Sequence, residues 1–145
     1  MTNLRAVITD HGFPNLQHEE SVLGAAGIAL TVAQCKTPAA VIEAARDADA
    51  LLVQWAPVNA EVIAALTRCR IIVRYGIGVD NVDLAAAGAR GIAVCNVPDY
   101  GVHEVAEHAV ALALALARQL PQIDARLRAG TWKITPDRPM PSLRE

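Results

Sequence analysis

Five short aliphatic runs, four of them followed by a compact helical pattern, set the tightest limit on what this chain can fold into. Residues 5–9, 28–33, 51–54, 71–75 and 92–95 read as strands. Residues 18–26, 37–47, 59–66 and 82–89 read as the helices between them. Thr37 and Asn59 stand where an N-cap oxygen can accept an orphan amide proton, and Pro38 suits the first helical position. Gly27 and Gly91 close two of the helices. Strict strand–helix alternation, with strands apolar on both faces, predicts a doubly wound parallel α/β sheet. The expected strand order is flavodoxin-like, 2-1-3-4-5. Composition agrees, because the chain is 53% hydrophobic yet only 3% aromatic, which suits a sheet packed under Ala-rich helices.

The pattern changes after Pro98, so residues 1–98 are expected to form one flavodoxin-like domain and 99–145 the start of another. Residues 101–118 read as one long helix, resuming after a break near Pro121 as far as 129. The stretch 109–117 is apolar all round, as in helices buried on more than one side. Leu112, Leu114, Leu116 and Leu120 therefore want a partner, and a homodimer through helix 101–120 is expected. Pro136, Pro139 and Pro141 make the remaining tail an arm or linker. Net charge is −2 with no basic run, which argues against nucleic acid. No apolar run approaches the ~20 residues of a membrane span, and no signal peptide is visible. Cys35, Cys69 and Cys95 are scattered, which suits a reducing, cytoplasmic setting.

Ligands of such sheets sit outside the carboxyl ends of the strands, so the segments there carry the chemistry. After the fourth strand comes Arg74-Tyr75-Gly76-Ile77-Gly78-Val79-Asp80-Asn81. Two glycines one residue apart can turn the chain sharply and present consecutive N–H groups to a carboxylate. Arg74 adds a cation beside them. The segment is no dinucleotide fingerprint, because the third glycine of GxGxxG would fall on Asn81. It also suits a plain turn into a helix, with Asp80 or Asn81 as cap. Trp55, after strand three, can wall an apolar pocket or cover the sheet edge. Tyr100 lies in the turn that launches the long helix, at a natural hinge. His103-Glu104-Val105-Ala106-Glu107-His108 is not a zinc motif, since its histidines lie about 140° apart around a helix. Asp10 ends strand one as in a phospho-receiver, but Gln54 stands where the second acid is needed, and the lysines are Lys36 and Lys133 only.

Taken together, three segments resemble the D-2-hydroxyacid dehydrogenase family, in the branch of phosphoglycerate dehydrogenases and C-terminal-binding-protein-like enzymes. They are residues 70–83, 91–100 and 104–112, in that family's order and spacing. The resemblance implies an NAD-dependent oxidoreductase that interconverts a small 2-hydroxy acid and its 2-keto acid. It places Trp55, Arg74, Tyr75, Gly76, Ile77, Gly78 and Tyr100 on the substrate side, and Ile77 and Val105 near the nicotinamide. It implies that residues 1–145 are an N-terminal portion, ending before the cofactor loop and the catalytic residues. No catalytic residue is then expected in the chain, and alone it should be inactive. The competing expectation is a non-enzymatic ligand- or protein-binding module on the same fold.

Overall fold

Strands β1 (Arg5–Ile8), β2 (Ala29–Val32), β3 (Ala50–Val53), β4 (Ile71–Arg74) and β5 (Ala93–Cys95) form one all-parallel sheet in the order β2-β1-β3-β4-β5. That is the order the alternation predicts. The structure, a computed structural model, describes residues 4–133, 138–140 and 142. Two compact units divide the chain, Met1–Tyr100 and Gly101–Glu145. In the first, the connecting helices are α1 (Gln17–Ala25), α2 (Pro38–Ala45), α3 (Ala60–Ala65) and α4 (Leu84–Ala89). Val7, Leu51, Val53 and Ile72 are fully buried in one core with Val41 and Ala45 of α2, and Val62 and Ile63 of α3. Each large aliphatic side chain buried there stabilises the fold by about 1.5–3 kcal/mol. By contrast, α1 buries none of its residues.

Both anticipated caps form. Thr37 Oγ1 accepts from the Ala40 N–H at 3.3 Å, and Asn59 Oδ1 from the Val62 N–H at 3.0 Å. One helix start differs from expectation. Asp83, not Asp80 or Asn81, caps α4, its Oδ1 accepting from the Ala86 N–H at 2.9 Å. Val82, expected in the helix, is instead buried and pairs with Val58 in an isolated parallel bridge. The Val58 N–H donates to the Asn81 carbonyl at 2.8 Å, and the Asp83 N–H to the Val58 carbonyl at 2.9 Å. Asn81 Nδ2 donates to the Ala56 carbonyl at 3.0 Å. These bonds lock the segment after β3 to the segment after β4, the two places where site residues are expected.

A second lock lies at the opposite ends of the strands. Asp49 Oδ2 accepts from the Arg5 N–H at 2.9 Å, and Arg68 Nη2 bonds both carboxylate oxygens at 3.0 and 3.1 Å. The Arg5 amide above all holds the Asp49 carboxyl below its ordinary value of 3.8; burial opposes it, and the Arg68 guanidinium, with Arg70 behind it, adds to the lowering. A depressed acid stabilises the fold above its unfolded pKa and loses that contribution as pH falls through the folded one. The urea midpoint is therefore expected to drop on acidification below about pH 4, and Asp49→Asn to flatten that part of the profile. An identical pH profile for the variant would remove Asp49 from the account.

In the second unit, α5 (Val102–Ala117) is followed by α6 (Leu120–Arg128). The break falls on Gln119, whose φ of 52° is left-handed, and Pro121 lies in the first turn of α6. No residue of α5 is buried. Among the described residues no helix is long and apolar enough to cross a membrane.

Candidate functional site

The carboxyl ends of β1 and β3 are bound together by one side chain. Asp10, 5% exposed, accepts from Thr9 Oγ1 at 2.9 Å, from the Gln54 N–H at 3.1 Å and from the Trp55 N–H at 2.6 Å. A buried carboxylate needs such donors, and here they fix the direction in which residues 54 and 55 leave the sheet. Gln54 reaches back, its Oε1 accepting from the Gly12 N–H at 2.7 Å. Gln34 Nε2 donates to the His11 carbonyl at 3.0 Å. The Trp55 ring lies against Gly12 so closely that a Cβ there would come within 2.7 Å of it. Asp10 is thus a structural clamp rather than a phosphoryl acceptor.

The turn after β4 is held from the other side. The Tyr75 N–H donates to the Val53 carbonyl at 2.8 Å, continuing the ladder. Gly76 then takes a φ of 154°, which a side chain would make strained, and its N–H donates to the Arg74 carbonyl at 2.9 Å. The Gly76 carbonyl accepts from the Val97 N–H at 3.0 Å, and the Ile77 carbonyl from Asn96 Nδ2 at 2.8 Å. In a planar trans peptide the carbonyl and the next N–H point in opposite directions. The N–H groups of Ile77 and Gly78 therefore point away from the β5 segment, and among the described residues they donate to no protein acceptor. The Ile77 and Gly78 N–H groups are thus without a protein acceptor among the described residues, whereas Gly76 has spent its own.

Arg74 folds back over this turn, since a Cβ on Gly76 would overlap its guanidinium. Its Nε is shut off from solvent with no hydrogen-bond partner, and no acid among the described residues pairs with it. Tyr75 packs edge-on against Phe13, ring centroids 5.1 Å apart at 78°. Burial first, then the Glu19 carboxylate, push its phenol well above the ordinary range, although its oxygen makes no bond of good hydrogen-bond geometry. The ring therefore stays neutral.

Two concavities result, and Gln54 lines both. The first, about 200 Å³, is lined by Phe13, Gln54, Tyr75, Gly76, Val97 and Tyr100. The second, about 150 Å³, is lined by Gln54, Trp55, Arg74, Gly78, Asp80 and Asn81. The fold thus brings Tyr75, Gly76 and Tyr100 together in one, and Trp55, Arg74 and Gly78 in the other. Ile77 lines neither and is 41% exposed beside them in sequence. Val105 belongs to the second unit, exposed on α5. Sequence reasoning missed Phe13 and Val97. Phe13 is the chain's single phenylalanine, and it follows β1. Applying the carboxyl-end rule to strand one, as well as to three, four and five, would have found it. Among the described residues no group of three His, Cys, Asp or Glu side chains could hold a metal ion.

A family model described as the catalytic domain of D-isomer specific 2-hydroxyacid dehydrogenases matches residues 6–133. D-3-phosphoglycerate dehydrogenase of Mycobacterium tuberculosis is 52% identical over 94 residues, which cover 64% of this chain and 18% of that protein. Among solved structures, the TT0316 protein from Thermus thermophilus superposes with a TM-score of 0.75 at 28% identity, covering 97% of this chain and 45% of that one. An NAD+-bound 3-phosphoglycerate dehydrogenase of Entamoeba histolytica gives a TM-score of 0.70 at 28% identity, covering 79% of this chain and 39% of that one. This chain spans less than half the length of each of these relatives. A parallel five-stranded sheet in this order, an open glycine turn at its carboxyl end and a match over nearly the whole sequence lead to one conclusion: the chain belongs to the D-isomer specific 2-hydroxyacid dehydrogenase family.

Proposed function

We propose that this chain supplies the acid-binding part of an NAD-linked oxidoreductase that interconverts a small D-2-hydroxy acid and its 2-keto acid. The observation that carries the reading is the turn at residues 76–78. Its carbonyls are tied to the β5 segment while the Ile77 and Gly78 N–H groups find no protein acceptor, and the Arg74 guanidinium lies over the same turn. Two main-chain donors and a cation are what a carboxylate needs, each charge-assisted bond contributing about 1.5–3 kcal/mol. On this reading residues 1–98 bind the acid, and 99–145 form the crossover toward a nucleotide-binding part.

NAD would supply the hydride acceptor or donor. Of the residues present, Ile77 offers the nicotinamide end an exposed apolar surface beside the open amides, and Val105, in the second unit, is an exposed valine on α5. No glycine-rich cradle for a pyrophosphate occurs in the sequence, since Asn81 interrupts the only GxG. The chain alone is accordingly expected to bind the acid without turning it over. The exposed leucines of α5, two on one face and one on the other, support self-association through residues 101–120.

The test is a titration of ¹⁵N-labelled protein with pyruvate. The amide resonances of Ile77 and Gly78 should move far more than that of Gly76, whose proton is already engaged. Arg74→Gln should weaken the acid by roughly tenfold or more, the loss of one charge-assisted contact. Unmoved amides at 77 and 78 under saturating acid would sink the proposal.

A further inference from the structure

We infer that the concavity between Phe13, Tyr75, Val97 and Tyr100 receives the side chain of the acid, and that it selects an uncharged, apolar side chain over a carboxylate or phosphate. This rests on the acid-binding reading above and adds the class of substrate. The two concavities differ in chemistry. The one holding Gly78 carries the only cation of the two, Arg74, together with Asp80, so a carboxylate there would meet the guanidinium and the open amide beside one acid. The one holding Gly76 has no Lys, Arg or His in its lining; its walls are aromatic rings, a valine and a glycine, with the Gln54 side chain at the boundary of both.

A second anion placed there would lose water and meet no counter-charge, a costly exchange in a partly closed site. The lining offers hydrogen-bond donors but no counter-charge: Gln54 Oε1 accepts from the Gly12 N–H, which leaves its amide Nε2 to donate, and the Tyr75 and Tyr100 hydroxyls carry no positive charge. An apolar group gains instead, since it replaces water against rings and methyl groups. The concavity, about 200 Å³, has room for a branched four-carbon side chain.

The experiment compares pyruvate, 4-methyl-2-oxopentanoate, 2-oxoglutarate and 3-phosphooxypyruvate on the ¹⁵N-labelled 145-residue chain. The branched acid should bind at least roughly tenfold more tightly than either dianionic competitor, and should shift Phe13, Tyr75 and Val97 in addition to the 77 and 78 amides. Val97→Arg places a cation on the wall of the concavity, and the Val97 N–H to Gly76 bond survives because it is main-chain. That variant should bring 3-phosphooxypyruvate to the tightness of the branched acid or beyond. Equal or tighter binding of the dianions by the unaltered chain, with the 77 and 78 amides still shifting, overturns the side-chain inference and leaves the carboxylate site standing. An unchanged preference in Val97→Arg overturns it as well. Silence of those amides toward every acid, pyruvate included, removes the site and the inference together.

Discussion

Asp10→Ala is expected to destabilise the first unit by about 3–6 kcal/mol, a large fraction of the roughly 5–15 kcal/mol that holds a domain together. The reason is the asymmetry of hydrogen bonding. Asp10 accepts from Thr9 Oγ1 and from the N–H groups of Gln54 and Trp55, and alanine takes that acceptor from all three, leaving the two main-chain N–H groups with none. Each such charge-assisted bond contributes about 1.5–3 kcal/mol, and each stranded donor also loses its solvation. Thr9 Oγ1 alone has a fallback in the Leu52 carbonyl at 3.2 Å. Asp10→Asn should cost less but not nothing. Its oxygen can take the place of Oδ1, while its amide would set a donor against the Trp55 N–H, which now sits 2.6 Å from Oδ2. Urea unfolding followed by circular dichroism should therefore rank wild type above Asn and Asn above Ala. Equal midpoints for wild type and Asn would show that the short Trp55 bond carries no stability. Because Gln54 and Trp55 line the candidate site, the same variants should weaken acid binding even under conditions where the fold survives.

Asp10 also shows where the sequence is legible and where it is not. An acid at the end of the first strand can be read as a phosphoryl acceptor, and that reading falls because Gln54 replaces the second acid and no lysine follows strand five at the position a receiver needs. The sequence can thus say what Asp10 is not. Its actual work, gathering two main-chain N–H groups 44 and 45 residues away, depends on β1 and β3 lying side by side. The strands and their order are readable because β-branched runs at regular intervals leave few topologies open. Thr37 and Asn59 are readable because an N-cap acts within one turn. The start of α4 is not, since Val82 is drawn out of the helix by Val58, a partner that only the finished sheet brings close. The site divides along the same line. The glycine turn is visible in its own few residues. Phe13 and Val97 enter only through what the folded sheet sets beside Tyr75 and Gly76.

The second large effect concerns α5. On a helix with about 100° between residues, Leu112 and Leu116 lie about 40° apart and Leu114 roughly opposite. Leu112, Leu114, Leu116 and Leu120 are 51%, 47%, 66% and 54% exposed. Burying what remains exposed of one such leucine is worth roughly 1 kcal/mol, about half the value for a whole side chain. Two leucines in each of two copies then contribute about 4 kcal/mol, close to a thousandfold in a dissociation constant before side-chain ordering is subtracted. The doubly substituted chain, Leu112→Glu with Leu116→Glu, should therefore dissociate at least about a hundredfold more readily than the wild type. Glutamate is a good helix former, so α5 itself should persist, and unchanged helicity by circular dichroism is the control. Val105 is left untouched so that any cofactor contact is not confounded with association. The decisive measurement is light scattering over a concentration series. A wild-type chain of monomer mass at about 100 micromolar, or a variant of the same mass as wild type throughout, would mean that these leucines meet something other than a second copy of the chain.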